Sequence, residues 1–394
     1  MLAKNSILSF GKIRGGYAKV GTDVGPYRTS RIFTTGNPYG DSPAQGLPTQ
    51  LFNENLKPGL SSSYEGGIDL KFFNNRVGIE FTAYQNDNKD QIIPVPVSST
   101  SGYRTALINA GHIQTKGLEL HLNFVPIKTN QFNWNFDINL DRSQSQVIKL
   151  VEGLTNYQLA GPTWRTLTVN AREGQDWGLL VGKKINIHEG TGKRIVDEDG
   201  HFVVTDNKEL GSVLPKFKGG FINSLNYGNF ALRFNIDFIV GGKFFSTTRM
   251  FNAYAGLAAE TAGLNELGKP KRDHVADGGG ILIDGVTADG KPNTTRVETQ
   301  EFYEDKLFAL NDYWIYDQTY VKMREVALGY NIPTRILGRS PFKTLYIGAV
   351  VRNPWLIYGA AGKGVDVSEA ETFWTEGGQL PSVRSFGLNL KFGF

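Results

Sequence analysis

The chain ends on Phe386-Gly387-Leu388-Asn389-Leu390-Lys391-Phe392-Gly393-Phe394, with a large apolar side chain at every even position. A repeat of two residues is that of a β-strand with one apolar and one polar face. The last residues of a soluble domain are usually frayed and polar, whereas this pattern continues to an aromatic side chain. It is typical of an outer-membrane β-barrel, in which lipid-facing and lumen-facing residues alternate. The alternative is an edge strand of a large secreted β-sandwich.

The same alternation recurs in four other stretches of the chain. Apolar residues occupy every second position from Phe132 to Leu140 and from Phe230 to Phe238. Shorter runs of the same kind span Leu118 to Phe124 and Val77 to Ala83. A tilted strand needs about 9–11 residues to cross the hydrocarbon core of a bilayer. Strands of a sandwich are typically about 5–6 residues long. The longer stretches therefore favour the barrel.

Short turns and long polar stretches separate these strands. Asn and Gly residues at 73–76 and 227–229 can adopt the positive φ that tight turns require, and a third short turn is predicted at 126–131. The long stretches lie near residues 21–61, 87–115, 142–214, 241–313 and 353–381. Short turns on one side and long loops on the other are typical of an outer-membrane barrel, with periplasmic turns and extracellular loops.

Strand directions have to alternate so that every short turn lies on the same side. This condition predicts ten antiparallel strands, at residues 8–20, 62–73, 76–87, 115–125, 131–142, 215–227, 229–240, 314–332, 343–353 and 382–394. Two further segments, 164–170 and 176–187, also resemble strands. Because strand directions alternate, either both belong to the barrel or both lie outside it. Their Gly and Lys content places both in the long loop. Within that loop, 193–196 and 201–204 flank an acidic turn and are predicted to form a small exposed hairpin.

Composition excludes several classes of protein. The 394 residues include no Cys, which excludes a disulfide framework, a thiolate metal site and a Cys nucleophile. The net charge of +4 is too small and too dispersed to indicate nucleic-acid binding. No apolar run of about 18 residues is present, so membrane residence would require a barrel. Met1 to Asn5 lack the features of a signal peptide, so the chain is expected to be a fragment of an exported protein.

Six ordered stretches carry motifs known from one protein family. Lys12 to Gly21 is similar to that family's KLRASYGQTGN strand, and Tyr320 to Tyr330 to its Y-x-R-L-R-N-V-T-L-G-Y strand. Arg352-Asn353-Pro354-Trp355 stands where the family usually has G-Q-N-L-F, a departure in detail. The other three matches are Ser63–Leu70 with Phe72–Arg76, Asn109–Gly111 with Lys116–Leu120, and Pro381–Phe394. The chain thus resembles the SusC/RagA-like TonB-dependent outer-membrane transporters of Bacteroidota.

The resemblance covers essentially the whole chain and implies an all-β fold, the carboxyl-terminal part of a transmembrane barrel of about 22 strands. Residues 1–394 would be a partial receptor barrel domain without the plug and the amino-terminal strands. The resemblance further implies an importer of glycans or peptides in the outer membrane, with a SusD-like surface lipoprotein as partner and TonB engaged through the missing part. The barrel-assembly machinery would recognise an insertion signal in the last strand, formed by Phe386, Leu388, Leu390, Phe392 and Phe394.

No catalytic or metal-binding constellation is apparent. The five His residues lack the HExxH spacing of a zinc site, and residues 197–200 lack the spaced ligands of a calcium loop. The chain is therefore not expected to be an enzyme, and we expect neither a cofactor nor a metal ion.

Aromatic residues in the predicted loops are the candidates for ligand binding. A ring can stack on a sugar while neighbouring polar groups fix its orientation. The candidates are Tyr157, Trp164, Trp177 and Trp374, and the exposed set also includes Tyr254 and Trp355. The alternative is that these rings pack within the loops or form the aromatic belt of a barrel.

Three functions remain open from the sequence. An energy-coupled importer would require a plug domain upstream, and a passive porin would require a closed barrel without a plug. A secreted β-sandwich acting on glycans would require a pair of carboxylates about 5–9.5 Å apart in a pocket. The length of the strands favours the importer.

Overall fold

The structure is a computed structural model that describes residues 7–23, 26, 29–30, 32–46, 48–163, 166–338, 340–370, 372–380 and 382–394. The chain divides into two compact units, one of residues 1–121, 141–157 and 171–177 and the other of residues 122–140, 158–170 and 178–394. In the part of the chain that the structure describes, no helix is long and apolar enough to cross a membrane.

Ten strands form one antiparallel sheet, which we call the wall, and their hydrogen-bonded order follows the order of the chain. They are β1 (Leu8–Thr22), β2 (Gly59–Phe72), β3 (Val77–Pro96), β4 (Thr105–Lys128), β5 (Phe132–Lys149), β6 (Phe217–Tyr227), β7 (Phe230–Val240), β8 (Tyr320–Asn331), β9 (Thr344–Gly359) and β10 (Ser385–Gly393). The short strand Gln50–Leu51 pairs in parallel with β4. The prediction of an all-β fold with ten antiparallel wall strands is confirmed.

The short turns join consecutive wall strands as predicted. Phe73, Asn74 and Asn75 have φ values of 51°, 53° and 63° between β2 and β3, and Gly228 has a φ of 54° between β6 and β7. These are left-handed conformations, which Asn and Gly adopt at the lowest cost. The turn between β8 and β9 contains a short helix, α3 (Thr334–Leu337).

Several strands are longer than the apolar pattern indicates. β3 continues to residue 96 and β4 starts at 105, so only residues 97–104 of the predicted loop 87–115 connect them. β5 likewise continues to 149, whereas the predicted strand 314–332 is divided into a loop strand, Ile315–Asp317, and β8. The apolar alternation marks only part of each strand. Backbone hydrogen bonds between neighbouring strands do not depend on it, so the strands can continue beyond it.

One face of the wall carries a continuous apolar row. Leu388 of β10 lies opposite Ala349 of β9, which lies opposite Leu328 of β8, and Leu328 lies opposite Leu232 of β7. The side chains of Leu388 and Leu328 are 83% and 53% exposed. Aligned apolar residues of this kind, left open to the surroundings, fit the lipid-facing band that the sequence predicts.

The long connections carry a second set of short elements. The strands are Thr34–Tyr39, Ser42–Gly46, Lys243–Ser246, Ile281–Leu282, Arg296–Val297, Ile315–Asp317 and Thr375–Glu376. The helices are α1 (Thr247–Tyr254), α2 (Thr299–Glu301), a π-helix at Phe302–Leu307, and 3-10 turns at Ser99–Ser101, Ala259–Thr261, Val275–Asp277, Asn311–Trp314 and Val367–Glu369.

A separate four-stranded sheet follows β5. It consists of Val204–Ser212, Trp177–Ile185, Leu167–Arg172 and Asn156–Thr163, in this order. The placement of segments 164–170 and 176–187 outside the wall is therefore confirmed for all of their residues except Trp164 and Arg165, which lie outside the described residues.

The hairpin predicted at 193–196 and 201–204 is not exposed as expected. The turn forms, since the Gly200 amide donates to the Asp197 carbonyl at 3.1 Å and the His201 amide donates to Asp197 Oδ1 at 2.8 Å. Val196, however, is 2% exposed and packs among other buried side chains. The arm is covered because the sheet and helices of the same compact unit supply an apolar surface, which local sequence does not reveal.

The loops of the second compact unit have their own hydrophobic core, which we call the loop core. Its members come from segments far apart in the chain and include Phe245, Met250, Leu307 and Trp314, each at most 1% exposed. The indole of Trp314 donates to the Leu307 carbonyl at 2.9 Å, so its one polar group is satisfied in the interior. Burial of this kind holds the loops in a fixed structure.

Candidate functional site

The four aromatic candidates lie in different environments. Tyr157 and Trp177 are half-buried, each near the start of a strand of the four-stranded sheet, and both belong to the first compact unit. Burial raises the pKa of Tyr157 above its ordinary value. Trp374 belongs to the second unit. The described residues do not include Trp164. The three described candidates therefore belong to two different compact units.

Trp374 is not an exposed ring; its burial fits the alternative that these rings pack within the loops. It is 8% exposed and packs in the loop core, and the Phe245 amide donates to its carbonyl at 2.9 Å. Of the other two aromatic residues, Tyr254 packs against Phe308 with ring centroids 4.8 Å apart, and Trp355 is 59% exposed on β9. A ring in a connection cannot be assigned to solvent from sequence, because other connections can cover it.

A buried glutamate close to Trp374 links the connection between β9 and β10 to α1. Glu376 is 3% exposed. Its carboxylate accepts hydrogen bonds from Ser246 Oγ at 2.5 Å, from the Thr248 amide at 2.8 Å and from Thr248 Oγ at 2.6 Å. These donors lie at the N-terminus of the eight-residue α1, so the carboxylate joins the last connection to that helix. A buried carboxylate with this many donors fixes the position of the segment that carries it.

A buried lysine holds the same connection to the wall. Lys322 of β8 is 1% exposed, and its ammonium group lies within 3.0 Å of four oxygen atoms. They belong to Asp366 (2.7 Å), Ser368 (2.9 Å), Glu369 (3.0 Å) and Ser382 (2.8 Å). We call residues 360–384 the last loop. A fully buried lysine is rare unless it is paired, and here every partner belongs to the last loop.

An arginine two residues further along extends the network. Arg324 donates two hydrogen bonds to Asp237 of β7, from Nε to Oδ1 at 2.8 Å and from Nη2 to Oδ2 at 2.9 Å. Its Nη1 donates to Glu369 Oε1 at 2.6 Å, the oxygen that Lys322 also contacts. A guanidinium that binds one carboxylate bidentately and a second carboxylate at the same time restricts both.

A β-bulge makes this arrangement possible. Asn235 lies opposite Glu325, but the next paired residue, Ile236, lies opposite Met323, so Arg324 has no residue opposite it in β7. The extra residue changes the parity of β8, so Lys322 shares a face with Asp237 while Val326 and Leu328 lie on the apolar face. The register against β9 shifts at the same level, next to Asn353 with its φ of 49°.

The network stabilises the ionised carboxylates of the last loop. Burial alone would raise the pKa of Asp366, but hydrogen bonds from Lys322 and Ser368 hold that pKa below its ordinary value. The pKa of Glu369 is lowered in the same way, by Lys322 and Arg324, against the opposing effect of burial. Both carboxylates remain charged at neutral pH and continue to hold the loop.

Sequence reasoning missed the Lys322 network, although a signal was present. Two adjacent charges, Arg324 and Glu325, interrupt the alternation of β8. Such an interruption predicts a bulge near a functional feature, but it does not indicate that Asp366 and Glu369 are the partners, because they are more than 40 residues away in the chain.

The predicted insertion residues share one face of β10. Phe386, Leu388, Leu390, Phe392 and Phe394 are each at least 50% exposed. The ring of Phe342 lies 5.2 Å from the rings of both Phe392 and Phe394, which holds the end of the strand against the start of β9. Their role in insertion stays a prediction.

The charged side chains of the described residues do not meet the requirements of a metal site. Within the described ranges, no group of three or more His, Asp or Glu side chains could hold a metal ion. The charged residues around Lys322 pair with one another and hold a loop in place.

Comparison with known proteins identifies the wall. The family model described as TonB dependent receptor-like, beta-barrel matches residues 8–269, which is more than half of the chain. The chain belongs to this TonB-dependent receptor family. Its members are β-barrel proteins of the outer membrane, so the exposed apolar row of the wall faces lipid.

Relatives of this TonB-dependent receptor chain extend over almost all of its length. TonB-dependent receptor P3 of Formosa agariphila is 26% identical over 425 residues, which cover 99% of this chain and 40% of the relative. TonB-dependent receptor SusC of Bacteroides thetaiotaomicron is 22% identical, over 90% of this chain and 34% of the relative. The resemblance to SusC/RagA-like receptors seen in the sequence is confirmed.

A solved structure shows the same fold. The RagAB peptide importer in its closed-closed state superposes with a TM-score of 0.74 at 20% identity, over all of this chain and 42% of the matched chain. The present receptor chain thus spans about two fifths of the length of the proteins that it matches.

Proposed function

We propose that this chain is the carboxyl-terminal barrel segment of an energy-coupled importer that brings glycans or peptides across the outer membrane. The observation that carries the proposal is membership of the TonB-dependent receptor family over residues 8–269, in a chain whose strands form an outer-membrane wall. In this proposal the rest of a barrel of about 22 strands, a plug and the segment that engages TonB belong to the same transporter. The chain itself contributes wall and loops and carries out no catalysis.

The proposed partners follow from the family. A SusD-like surface lipoprotein would close over the extracellular loops, and TonB would act from the periplasm. The barrel-assembly machinery would bind the last strand through the apolar residues of β10, which are exposed along one face and therefore accessible before insertion. Tyr157, Trp164 and Trp177 remain proposed contacts of the ligand; Trp374 is buried, so its proposed role is to support the loops.

Uptake by cells that carry the full-length protein tests the proposal. Fluorescent oligosaccharides and peptides are supplied with and without an uncoupler of the proton-motive force. Energy-coupled import predicts that accumulation stops when the uncoupler is added or when TonB is deleted. Accumulation that continues in both conditions would instead indicate a passive porin. Hydrolysis of the oligosaccharide by the purified protein would indicate a glycan-active enzyme.

A further inference from the structure

A cavity of about 630 Å³ lies in the long connections of the second compact unit. Its lining residues come from three parts of the chain, 187–202, 260–284 and 302–313. Ligand sites in proteins commonly measure about 300–1,000 Å³. The cavity adjoins the loop core, since Phe302 and Tyr303 belong to both. It is therefore built on a buried, fixed support.

The aromatic rings of the cavity are already covered. The guanidinium carbon of Arg194 lies 5.4 Å from the ring centroid of Phe202 and 5.3 Å from that of Tyr313. A cation at this distance is attracted to the ring face. Tyr303 is 8% exposed, and burial raises its pKa. A sugar needs an open ring face on which to stack. Arg194 lies over one face of Phe202 and of Tyr313, and Tyr303 is almost fully buried.

Aliphatic side chains line the same cavity and are open to solvent. Ile187 is 50% exposed, Leu264 is 64% exposed and Leu282 is 39% exposed. They come from two of the three parts of the chain that line the cavity. Exposed apolar groups that gather around a concave surface mark a site where another apolar group is bound.

Charges of both signs surround these aliphatic residues. Lys193, Arg194 and Lys271 are balanced by Glu260, Glu266 and Asp284. Lys193 Nζ lies 3.5 Å from Asp284 Oδ1, and Lys271 Nζ donates to the Glu260 carbonyl at 3.2 Å. The lining thus has no net charge but offers both a cationic and an anionic group within one cavity.

We propose that this cavity binds a short peptide with free termini and an aliphatic side chain. The side chain contacts Ile187, Leu264 and Leu282, the ammonium group of the peptide pairs with Glu260 or Asp284, and its carboxylate pairs with Lys271 or Arg194. The proposal rests on the proposed import function and names its substrate class. It favours peptides over glycans because the cavity has aliphatic walls, opposite charges and covered rings.

Calorimetric titration of the full-length protein in detergent micelles tests the site. The probes are the tripeptide Ala-Leu-Ala, the tripeptide Gly-Gly-Gly and the oligosaccharide maltotetraose. The test variant is Leu264→Asp, which places a charge on the aliphatic wall. The matched control is Leu257→Asp, because Leu257 is 78% exposed in the same connection and does not line the cavity. Both positions are open to solvent, so both variants are expected to fold.

The expected result is that Ala-Leu-Ala binds more tightly than Gly-Gly-Gly, and that Leu264→Asp weakens it about tenfold or more. Leu257→Asp leaves its affinity unchanged. Equal affinity of the two tripeptides, or an unchanged affinity in Leu264→Asp, overturns the proposal. So does a selective loss of maltotetraose binding in that variant.

Uptake assays on the same variants separate this inference from the proposed function. If uptake remains energy-coupled while Leu264→Asp binds Ala-Leu-Ala like the wild type, the cavity proposal is wrong and the import function stands. If no energy-coupled uptake occurs but Ala-Leu-Ala binds with the expected dependence on Leu264, the cavity is a peptide site and the import function is wrong.

Discussion

The wall and the loop core place the same kinds of side chain in opposite environments. Phe386 and Leu388 of β10 are 77% and 83% exposed, whereas Phe245 and Trp314 of the loop core are at most 1% exposed. The wall is a single sheet, and among the described residues no second layer of protein packs on the exposed apolar face of β10. That face therefore depends on lipid for its cover. The loop core covers its own apolar residues, as a soluble domain does. One chain therefore combines two solutions to the burial of apolar surface, and each part can be perturbed separately.

The largest expected contrast comes from removing one ring in each region. Phe245→Ala leaves a cavity in the loop core, and we expect it to lower the free energy of unfolding by about 3–5 kcal/mol. Phe386→Ala removes a ring that faces lipid, and detergent or lipid can occupy the space, so the loss is much smaller. Denaturant unfolding of the full-length protein in micelles measures both. Similar losses would contradict the division into two regions.

The next contrast compares a buried ion pair with an exposed one. Lys322→Met removes the cation that pairs with Asp366 and one of the two that pair with Glu369, and the expected cost is about 3–5 kcal/mol. Arg352→Met breaks the pair with Glu325 (3.2 Å), in which the arginine side chain is 65% exposed, and should cost about 0–1 kcal/mol. Limited proteolysis of the last loop, residues 360–384, together with thermal unfolding, measures the difference. A loop that is equally protected in both variants would show that Lys322 does not hold it.

A smaller effect is expected where charge is removed but shape is kept. Glu376→Gln retains one acceptor oxygen but turns an NH₂ group towards donors from Ser246 and Thr248, which should cost about 1–3 kcal/mol. Glu189→Gln, at an exposed position, is the control and should have little effect. Hydrogen exchange of residues 372–380 reports the change. Unaltered protection there would mean that Glu376 is not needed to hold the segment.

The smallest effect is the dependence of the last loop on pH. The folded pKa values of Asp366 and Glu369 lie below their ordinary values, so their stabilisation is complete above the unfolded pKa of about 4. It is lost as the pH falls below about 4 and through the lower folded values. Proteolysis of the last loop should therefore accelerate in the wild type as the pH falls below about 4. In Lys322→Met this acceleration should be weaker; an identical profile would show that other groups are responsible.

The wall was predictable because its information is local. A strand is specified by the alternation of its own residues, as from Phe230 to Phe238. A tight turn is specified by one or two residues, such as Asn74 and Gly228. The full extent of β3 to β5 was not predictable, since the apolar residues in their outer parts follow no two-residue repeat. The burial of Trp374 was not predictable for a similar reason, because it packs in a core with residues far away in the chain, such as Phe245.

The sequence by itself determined the strand number, the direction of the short turns and the family, because period-two patterns and short turns depend on neighbouring residues. Only the tertiary structure decided which loop residues are buried, which face Lys322 occupies, and which partners it finds in the last loop. It also decided that Ile187, Leu264 and Leu282 surround one cavity. The physical reason is that burial and ion pairing depend on contacts between distant segments, and no local pattern encodes which segments meet.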